Sequence, residues 1–261
     1  MGKIISVVIP KGGVGKTITA INLAYALAKN KKRTLLIDVD SSGQCASALG
    51  FSEQNIKGDL LDVLSFNKSF KSVIHKTENP NLDFIPMRKL SYNDEKRLAN
   101  LSSRESLLSD LMGSEVYGYN YVIFDCPPTL IGTTTNVLIA SDSVIIPVKP
   151  AKFSLNEVER IMEHITYIRE HYNEKLEIEG ILITMYEYNT KVAFRIKKEL
   201  MLRYPNFMFK TSIPKNIQVS ESTFLGKPVI AVNPTAKASI AYMNLAQEIM
   251  DKSSFNSMKV G

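Results

Sequence analysis

The residues with the clearest chemistry lie close to the start of the chain, in the sequence Lys11-Gly12-Gly13-Val14-Gly15-Lys16-Thr17. An apolar, β-branched run over residues 4–9 leads into this sequence and a helical pattern follows it, which is the context of a phosphate-binding loop. The glycines allow backbone N–H groups to converge on phosphate oxygens at a helix N-terminus. We expect Lys16 to reach the β- and γ-phosphates of a nucleotide and the Thr17 hydroxyl to bind Mg²⁺.

A second lysine makes this loop unusual. Lys11 lies five residues before Lys16, and Pro10 occupies the first glycine position of the common loop G-x-x-x-x-G-K-[ST]. This arrangement resembles the deviant Walker A motif of the ParA/MinD superfamily of ATPases. The resemblance implies that Lys11 reaches across a homodimer to the nucleotide of the other subunit, in the role of an arginine finger. It also implies that ATP is bound by the whole loop, namely Lys11, Gly12, Gly13, Val14, Gly15, Lys16, Thr17 and Ile18.

Two other segments end in carboxylates that could serve the same site. Residues 35–40 read as a strand that delivers Asp38 and Asp40 to its carboxyl end, and residues 121–125 deliver Asp125 in the same way. Both segments resemble the switch segments of the superfamily, which implies that Asp40 and Asp125 hold the Mg²⁺ shell or orient the attacking water. Asp38 and Asp40 could instead cap their own loop. The resemblance gives the catalytic residues as Lys11, Lys16, Asp40 and Asp125, and the Mg²⁺-binding residues as Thr17, Asp40 and Asp125.

A third segment near the end of the chain is a candidate base-binding loop. Its sequence, Thr211-Ser212-Ile213-Pro214-Lys215-Asn216, resembles the loop that flanks adenine in the superfamily. The resemblance implies that Pro214 and Asn216 contact the base. The alternative is an ordinary Pro–Asn turn that binds no ligand.

The elements that must position these residues alternate between short apolar runs and longer helical stretches, which is typical of an α/β protein. We predict one P-loop NTPase domain over residues 1–252, with a mostly parallel, twisted sheet covered by helices on both faces. A flexible C-terminal tail is predicted for residues 253–261. Predicted strands span residues 3–9, 34–38, 82–86, 121–125, 143–147, 178–185 and 207–211. Predicted helices span residues 16–29, 103–117, 155–172, 192–204 and 236–252.

Positive charge is concentrated in one part of this moderately basic chain. The whole chain has a formal net charge of +6, and residues 187–227 contain eight Lys or Arg and three Glu. Such a stretch could bind the phosphate backbone of DNA without reading its sequence, or it could be a solvated charged face. On the predicted helix, Val192, Ile196 and Leu200 are expected to pack on the sheet. The candidate DNA-binding residues are Lys191, Arg195, Lys198, Lys210, Lys215 and Lys227.

The resemblance extends over nearly the whole chain and is strongest to the ParA/Soj family of partition ATPases. It implies that ATP binding drives homodimerisation and non-specific DNA binding. It also implies that hydrolysis, stimulated by a ParB-type centromere-binding protein, releases the DNA. A cytoplasmic, nucleoid-associated protein is expected. Whether the cargo is a chromosome or a plasmid is left open by the sequence.

Two alternative functions share this fold. A MinD-like, membrane-associated ATPase would end in a basic amphipathic helix, whereas Ile240, Met243, Ala246 and Met250 have core spacing and few neighbouring cations. Membrane binding is therefore not expected, although this alternative stays open. An iron–sulfur carrier would need paired cysteines. Cys45 and Cys126 match no metal-ligand spacing and indicate a reducing, cytosolic setting.

Overall fold

A computed structural model describes the backbone of residues 2–259 and the side chains of residues 2–254. Within these residues the strands are β1 Lys3–Val7, β2 Thr34–Asp38, β3 His75–Lys76, β4 Leu82–Ile85, β5 Tyr121–Asp125, β6 Ser143–Val148, β7 Glu177–Tyr186 and β8 Met208–Pro214. The helices are α1 Lys16–Lys29, α2 Gln44–Ala48, α3 Leu60–Leu64, α4 Tyr92–Leu101, α5 Leu107–Met112, α6 Thr133–Ala140, α7 Ser154–His171, α8 Lys191–Arg203, α9 Ile217–Phe224, α10 Val229–Val232 and α11 Lys237–Lys259.

All described strands belong to one sheet, in the order β3-β4-β2-β5-β1-β6-β7-β8. Neighbouring strands are parallel, except that β3 pairs antiparallel with β4 at the edge. The central position of β5 brings the carboxyl ends of β1 and β2 to either side of its own. In this register Asp125 pairs with both Val7 and Asp38. The topology thereby gathers the phosphate-binding loop and two carboxylates at one edge of the sheet.

Helices cover both faces of the sheet, because the strands are apolar on both sides and each face must be shielded from water. One face packs against α1 and α11, whose buried residues include Leu23, Leu27 and Leu245. The opposite face packs against α5, α6, α7 and α8, with Val158, Ile165 and Leu200 in its core. The predicted single-domain α/β fold is confirmed. No described helix combines the length and the apolar character needed to cross a membrane.

The predicted element boundaries needed several corrections. The helix predicted over residues 103–117 is the shorter α5 followed by a 3₁₀ turn at Gly113–Val116, and α4 and α6 were not predicted. α4 was missed because only Leu98 among its ten residues is buried, so its apolar periodicity is weak. Helical backbone continues to Lys259, beyond the end predicted for the last helix at residue 252. Residues 260–261 lie outside the described part of the chain.

Two predicted core positions are wrong. Val192 is 55% exposed and Ala193 takes its place beside Ile196 and Leu200, whereas Ile240 is 49% exposed. Each step along a helix turns the side chain by about 100°, so a small shift in the packed face moves a residue out of the core. Small residues such as Ala193 carry a weak hydrophobic signal, yet they permit the close approach that defines this face.

A buried amide ties α1 to the first residue of α10 and supplies a test of this packing. Asn22 is 2% exposed, and its Oδ1 accepts the Val229 N–H at 2.9 Å. We expect Asn22→Leu to lower the free energy of unfolding by about 1–3 kcal/mol, because the Val229 N–H would be buried without an acceptor. Urea denaturation measures this change.

Asn30→Ala is the matched control, because the Asn30 amide bonds only to the Ala26 carbonyl of its own helix. A loss of at most about 1 kcal/mol is expected for it. Equal stabilities of the Asn22→Leu variant and the wild type would contradict the predicted role of Asn22.

Candidate nucleotide-binding site

The loop between β1 and α1 has the backbone geometry of an anion cradle. Gly13 and Gly15 have φ values of 69° and 87°, in the left-handed region that favours glycine, and Gly15 is the N-cap of α1. A Cβ atom added at Gly12 or Gly13 would meet nothing within 4 Å, so this side of the loop is open to a ligand. The first turn of α1 contains no acidic residue, which leaves its N–H groups and partial positive charge available to phosphate.

Lys16 is held against this loop rather than extended into solvent. Lys16 is 7% exposed, and its Nζ donates a hydrogen bond to the Lys11 carbonyl oxygen at 2.8 Å. Burial lowers the pKa of Lys16, and the nearby carboxylates of Asp125 and Asp40 oppose that shift. The ammonium group is therefore a desolvated cation beside the loop. In this position it would attract a phosphate oxygen more strongly than it would in water.

Thr184 on β7 fixes the loop from the neighbouring strand, and sequence reasoning assigned it no role. Its hydroxyl donates a hydrogen bond to the Val14 carbonyl oxygen at 2.7 Å, and the residue is 2% exposed. The hydroxyl thus anchors the middle of the loop to the sheet. The only signal in the sequence was a polar residue within the apolar stretch 181–186 of this strand, which does not reveal its partner.

The two strand-end carboxylates, Asp38 and Asp125, are both fully buried. The Asp38 oxygens accept the N–H groups of Asp40 at 3.0 Å and Cys45 at 3.3 Å. Burial, together with the charge of Asp125, raises the pKa of Asp38 well above its ordinary range. Asp38 is therefore part of the site, although it was predicted only as a neighbour of Asp40.

Asp40 is half-buried on the loop that follows β2. Its Oδ1 accepts the Ser42 N–H at 2.9 Å, so it also caps its own loop, as the alternative interpretation of the sequence supposed. This capping does not exclude a role in catalysis, because the Asp40 charge is near enough to influence both Lys16 and Asp125.

The surroundings of Asp125 show whether a metal ion fits this site. Burial raises the pKa of Asp125 to about 7, while the nearby Thr17 hydroxyl and the Cys45 thiol oppose the rise. Its Oδ1 is buried and accepts no well-formed hydrogen bond from the described residues. A buried carboxylate oxygen with a free lone pair suits the hydration shell of a hard cation such as Mg²⁺. Thr17, Asp40 and Asp125 are the residues that could hold such an ion.

The candidate base-binding loop follows β8, at the same edge of the sheet as the phosphate loop. Pro214 is buried at the end of β8, and Asn216 is the N-cap of α9, with its Oδ1 accepting the Gln218 N–H at 2.9 Å. The side-chain oxygen therefore has a structural role of its own. The Asn216 amide nitrogen has no hydrogen-bond partner among the described side chains and main chain, and it is the group left for a base.

The six candidate DNA-binding residues do not form one surface. Lys191, Arg195 and Lys198 are exposed along α8, and none forms a salt bridge with a described residue. Lys210 is exposed on the adjacent edge strand β8.

Two of the six residues are engaged elsewhere. Lys215 pairs with Glu187 at 2.8 Å. Lys227 pairs with Glu78 at 3.0 Å, in the connection between β3 and β4 at the other edge of the sheet. Including Lys227 in one continuous basic surface was therefore wrong, because the chain crosses the α1 face after α9.

A parallel sheet whose central strand leads through K-G-G-V-G-K-T into a helix defines a P-loop nucleotide-binding protein. A family model described as an AAA domain matches residues 2–178. The chain is 36% identical over 249 residues to the sporulation initiation inhibitor protein Soj of Bacillus subtilis, covering 95% of this chain and 98% of that protein. It is 34% identical to the chromosome partitioning protein ParA of Myxococcus xanthus, covering 97% and 89%. The chain belongs to the ParA/Soj family of P-loop ATPases.

A solved structure supports the fold independently. MinD from Pyrococcus horikoshii, determined with Mg-ADP, superposes with a TM-score of 0.80 at 22% identity and covers 95% of this chain and 96% of its own. At this identity the similarity concerns the fold alone, and it agrees with the predicted superfamily.

The Thr184 anchor can be tested by removing only its hydroxyl. Thr184→Val preserves shape but leaves the Val14 carbonyl without this donor, so we expect the free energy of unfolding to fall by about 1–3 kcal/mol. Thr184→Ser, which keeps the hydroxyl, should lose less than Thr184→Val. Chemical denaturation of the three proteins measures the effect, and equal losses in both variants would contradict the anchor.

Proposed function

We propose that this protein is an ATP-dependent DNA-segregation ATPase. ATP with Mg²⁺ drives the formation of a homodimer that binds DNA without sequence preference, and hydrolysis releases the DNA. The observation that carries the proposal is the pair of lysines on one phosphate loop. Lys16 is buried against the loop, whereas the half-buried Lys11 has no ion-pair partner among the described residues.

The chain's own residues account for the nucleotide chemistry. Backbone N–H groups of the loop and the first turn of α1 bind the phosphates, and Lys16 neutralises their charge from a desolvated position. Thr17, Asp40 and Asp125 hold Mg²⁺, which would supply further neutralisation of the phosphate oxygens. Asp40, which lies beside solvent-exposed Ser42, orients the attacking water.

Lys11 gives the site its dependence on a second subunit. Because Lys16 already occupies the inner side of the loop through its bond to the Lys11 carbonyl, the Lys11 ammonium is the cation available to a neighbouring protein. In the dimer it contacts the nucleotide of the other subunit and stabilises the charge of the transition state. ATP is then both the substrate and the signal for dimerisation.

The outward face of α8 is the proposed DNA contact. Lys191, Arg195 and Lys198 follow one another at i, i+4 and i+7 and therefore share a face. Their charges are not neutralised by described carboxylates, so they can replace counterions on a phosphate backbone. Lys210 on β8 extends this group of cations. Contacts of this kind position a protein on DNA without reading bases.

The name of the ParA relative, a chromosome partitioning protein, supports a role in partitioning, and a ParB-type protein is the proposed stimulator of hydrolysis in the cytoplasm. Membrane association remains the alternative to DNA binding. Phe194 and Leu202 are 65% and 67% exposed on the cationic face of α8, and basic faces with apolar residues also bind anionic lipids. Sedimentation with DNA and with anionic liposomes, in ATP, in ADP and without nucleotide, distinguishes the two. Retention on DNA in ATP alone is expected.

The roles of the two lysines predict different defects. Lys16→Ala should abolish ATP binding, because it removes the cation that the loop holds for the phosphates. Lys11→Ala should still bind ATP as a monomer but fail to dimerise, and its hydrolysis should fall by about 10³-fold or more, as when an arginine finger is lost. Nucleotide binding, light scattering with ATP and phosphate release measure the three properties. Normal hydrolysis by Lys16→Ala would show that the site is wrongly assigned, and normal dimerisation of Lys11→Ala would contradict its role.

The α8 contact predicts a loss of DNA binding on charge reversal. Arg195→Glu should weaken ATP-dependent retention on DNA and reduce the slope of log affinity against log salt by at least about 0.9. Lys175→Glu is the matched control, since Lys175 is an exposed lysine before β7, at the opposite end of the strands. Equal retention by the two variants would exclude α8 as the DNA contact.

A further inference from the structure

Cys45 is a buried nucleophile beside the nucleotide site, and the chemistry described so far makes no use of it. Its thiol donates a hydrogen bond to Asp125 Oδ2 at 3.3 Å, although the two residues are 80 positions apart in the chain. One ligand atom each from Asp38, Cys45 and Asp125 lie within 4.8 Å of one another, and all three residues are fully buried. These are two carboxylates and a sulfur, a set of donors that can bind one metal ion.

The spacing of these atoms suits a small cation with affinity for sulfur. In tetrahedral zinc sites the Zn–S and Zn–O distances are about 2.3 and 2.0 Å, which places the two donor atoms roughly 3.5 Å apart. The sulfur of Cys45 and Oδ2 of Asp125 are already separated by 3.3 Å. A single ion could therefore bridge this pair without a change of backbone.

The carboxyl groups of Asp38 and Asp125 are held in place, and a cation would offset their negative charge. The Asp38 carboxylate is oriented by two backbone N–H groups, as outer-shell partners orient the ligands of metal sites. Asp125 Oδ1 is buried without a partner among the described residues. Asp38, Asp40 and Asp125 are mutually close, and among the described residues Lys16 is the cation that chiefly offsets the negative charge of Asp125. A divalent cation would neutralise this excess of buried carboxylates.

We propose that Asp38, Cys45 and Asp125 form a binding site for a thiophilic divalent cation of the Zn²⁺ class, and that this ion competes with Mg²⁺ and restrains hydrolysis. Mg²⁺ prefers oxygen ligands and water, whereas the sulfur selects Zn²⁺ or Co²⁺. As the metal binds, the thiol proton and any proton held by the two carboxyl groups pass to solvent, and no atom changes oxidation state. A water molecule completes a tetrahedral shell.

The competition with Mg²⁺ rests on the proposed function, because it uses Asp125 of the nucleotide site. Binding of the thiophilic ion does not, since it requires neither ATP nor hydrolysis. The first test is therefore made on the full chain without nucleotide, with Co²⁺ as the probe. The wild-type protein should develop the near-ultraviolet charge-transfer absorption of a cobalt–sulfur bond, and Zn²⁺ should displace it.

Cys45→Ala should lose this absorption and bind Zn²⁺ at least about tenfold more weakly in equilibrium dialysis. Cys126→Ala is the matched control, because Cys126 is equally buried and adjoins Asp125 in the chain but does not belong to the cluster of ligand atoms. It should keep the absorption. Cys45→Ser, checked by thermal unfolding, serves if Cys45→Ala does not fold. Absence of the band in the wild type, its persistence without Cys45, or its loss in Cys126→Ala would each overturn the proposal.

The regulatory part has its own measurement. Zn²⁺ added to Mg²⁺ and ATP should inhibit the wild type, and excess Mg²⁺ should relieve the inhibition. Each variant is compared with its own rate without Zn²⁺, so a change in basal activity does not affect the result. Inhibition that is equal in wild type and Cys45→Ala would overturn the regulatory role. A protein that binds Co²⁺ through Cys45 but hydrolyses no ATP would instead contradict the proposed function alone.

Discussion

The pairing of β2 and β1 on either side of β5 confines one lysine and two carboxylates to a region from which water is excluded. Asp38 and Asp125 are opposite each other in register, and Lys16 lies beside them at the start of α1. Burial disfavours every charged form, so it raises the pKa of both carboxyl groups and lowers that of the lysine. Such a site is costly to leave without counter-charges, and a nucleotide phosphate with its cation supplies charges of both signs.

This electrostatic arrangement explains why so many parts of the fold are directed at one loop. Thr184 holds the loop from β7, and Gly15 allows it to turn into α1. The segment after β2 is in turn bound to Asp38 through its backbone N–H groups. A phosphate bound at the loop would therefore act on that segment through the shared carboxylates. Coupling of this kind is what a protein needs if ligand binding is to change its affinity for a second subunit.

The surface that is proposed to bind DNA lies away from the phosphate loop. α8 crosses between β7 and β8 near one edge of the sheet, with Lys191, Arg195 and Lys198 in solvent. Because α8 packs through Ala193, Ile196 and Leu200, its opposite face is exposed, and this is the face proposed to contact DNA. The ion pair of Lys227 with Glu78 places that lysine beyond the same face.

The sequence by itself determined the features that are encoded locally. The phosphate loop is contiguous, so roles for Lys16 and Thr17 could be predicted from its motif, and a role for Lys11 from the resemblance to the deviant Walker A motif. The parallel strands could be recognised as apolar runs, because strands buried on both faces carry no polar alternation. The deviant lysine was also sufficient to identify the superfamily. Helices with little buried surface, such as α4, escaped because their residues are mostly polar.

Only the tertiary structure decided which distant residues meet. The contact of Cys45 with Asp125 and that of Thr184 with Val14 depend on strand order and register, which no local pattern records. The same is true of the separation of Lys227 from α8, and of the exposure of Val192 in place of Ala193. Periodicity specifies that a helix has a packed face, but the neighbouring elements select its exact direction. For this reason the nucleotide loop could be read from the sequence, whereas the buried cluster around it could not.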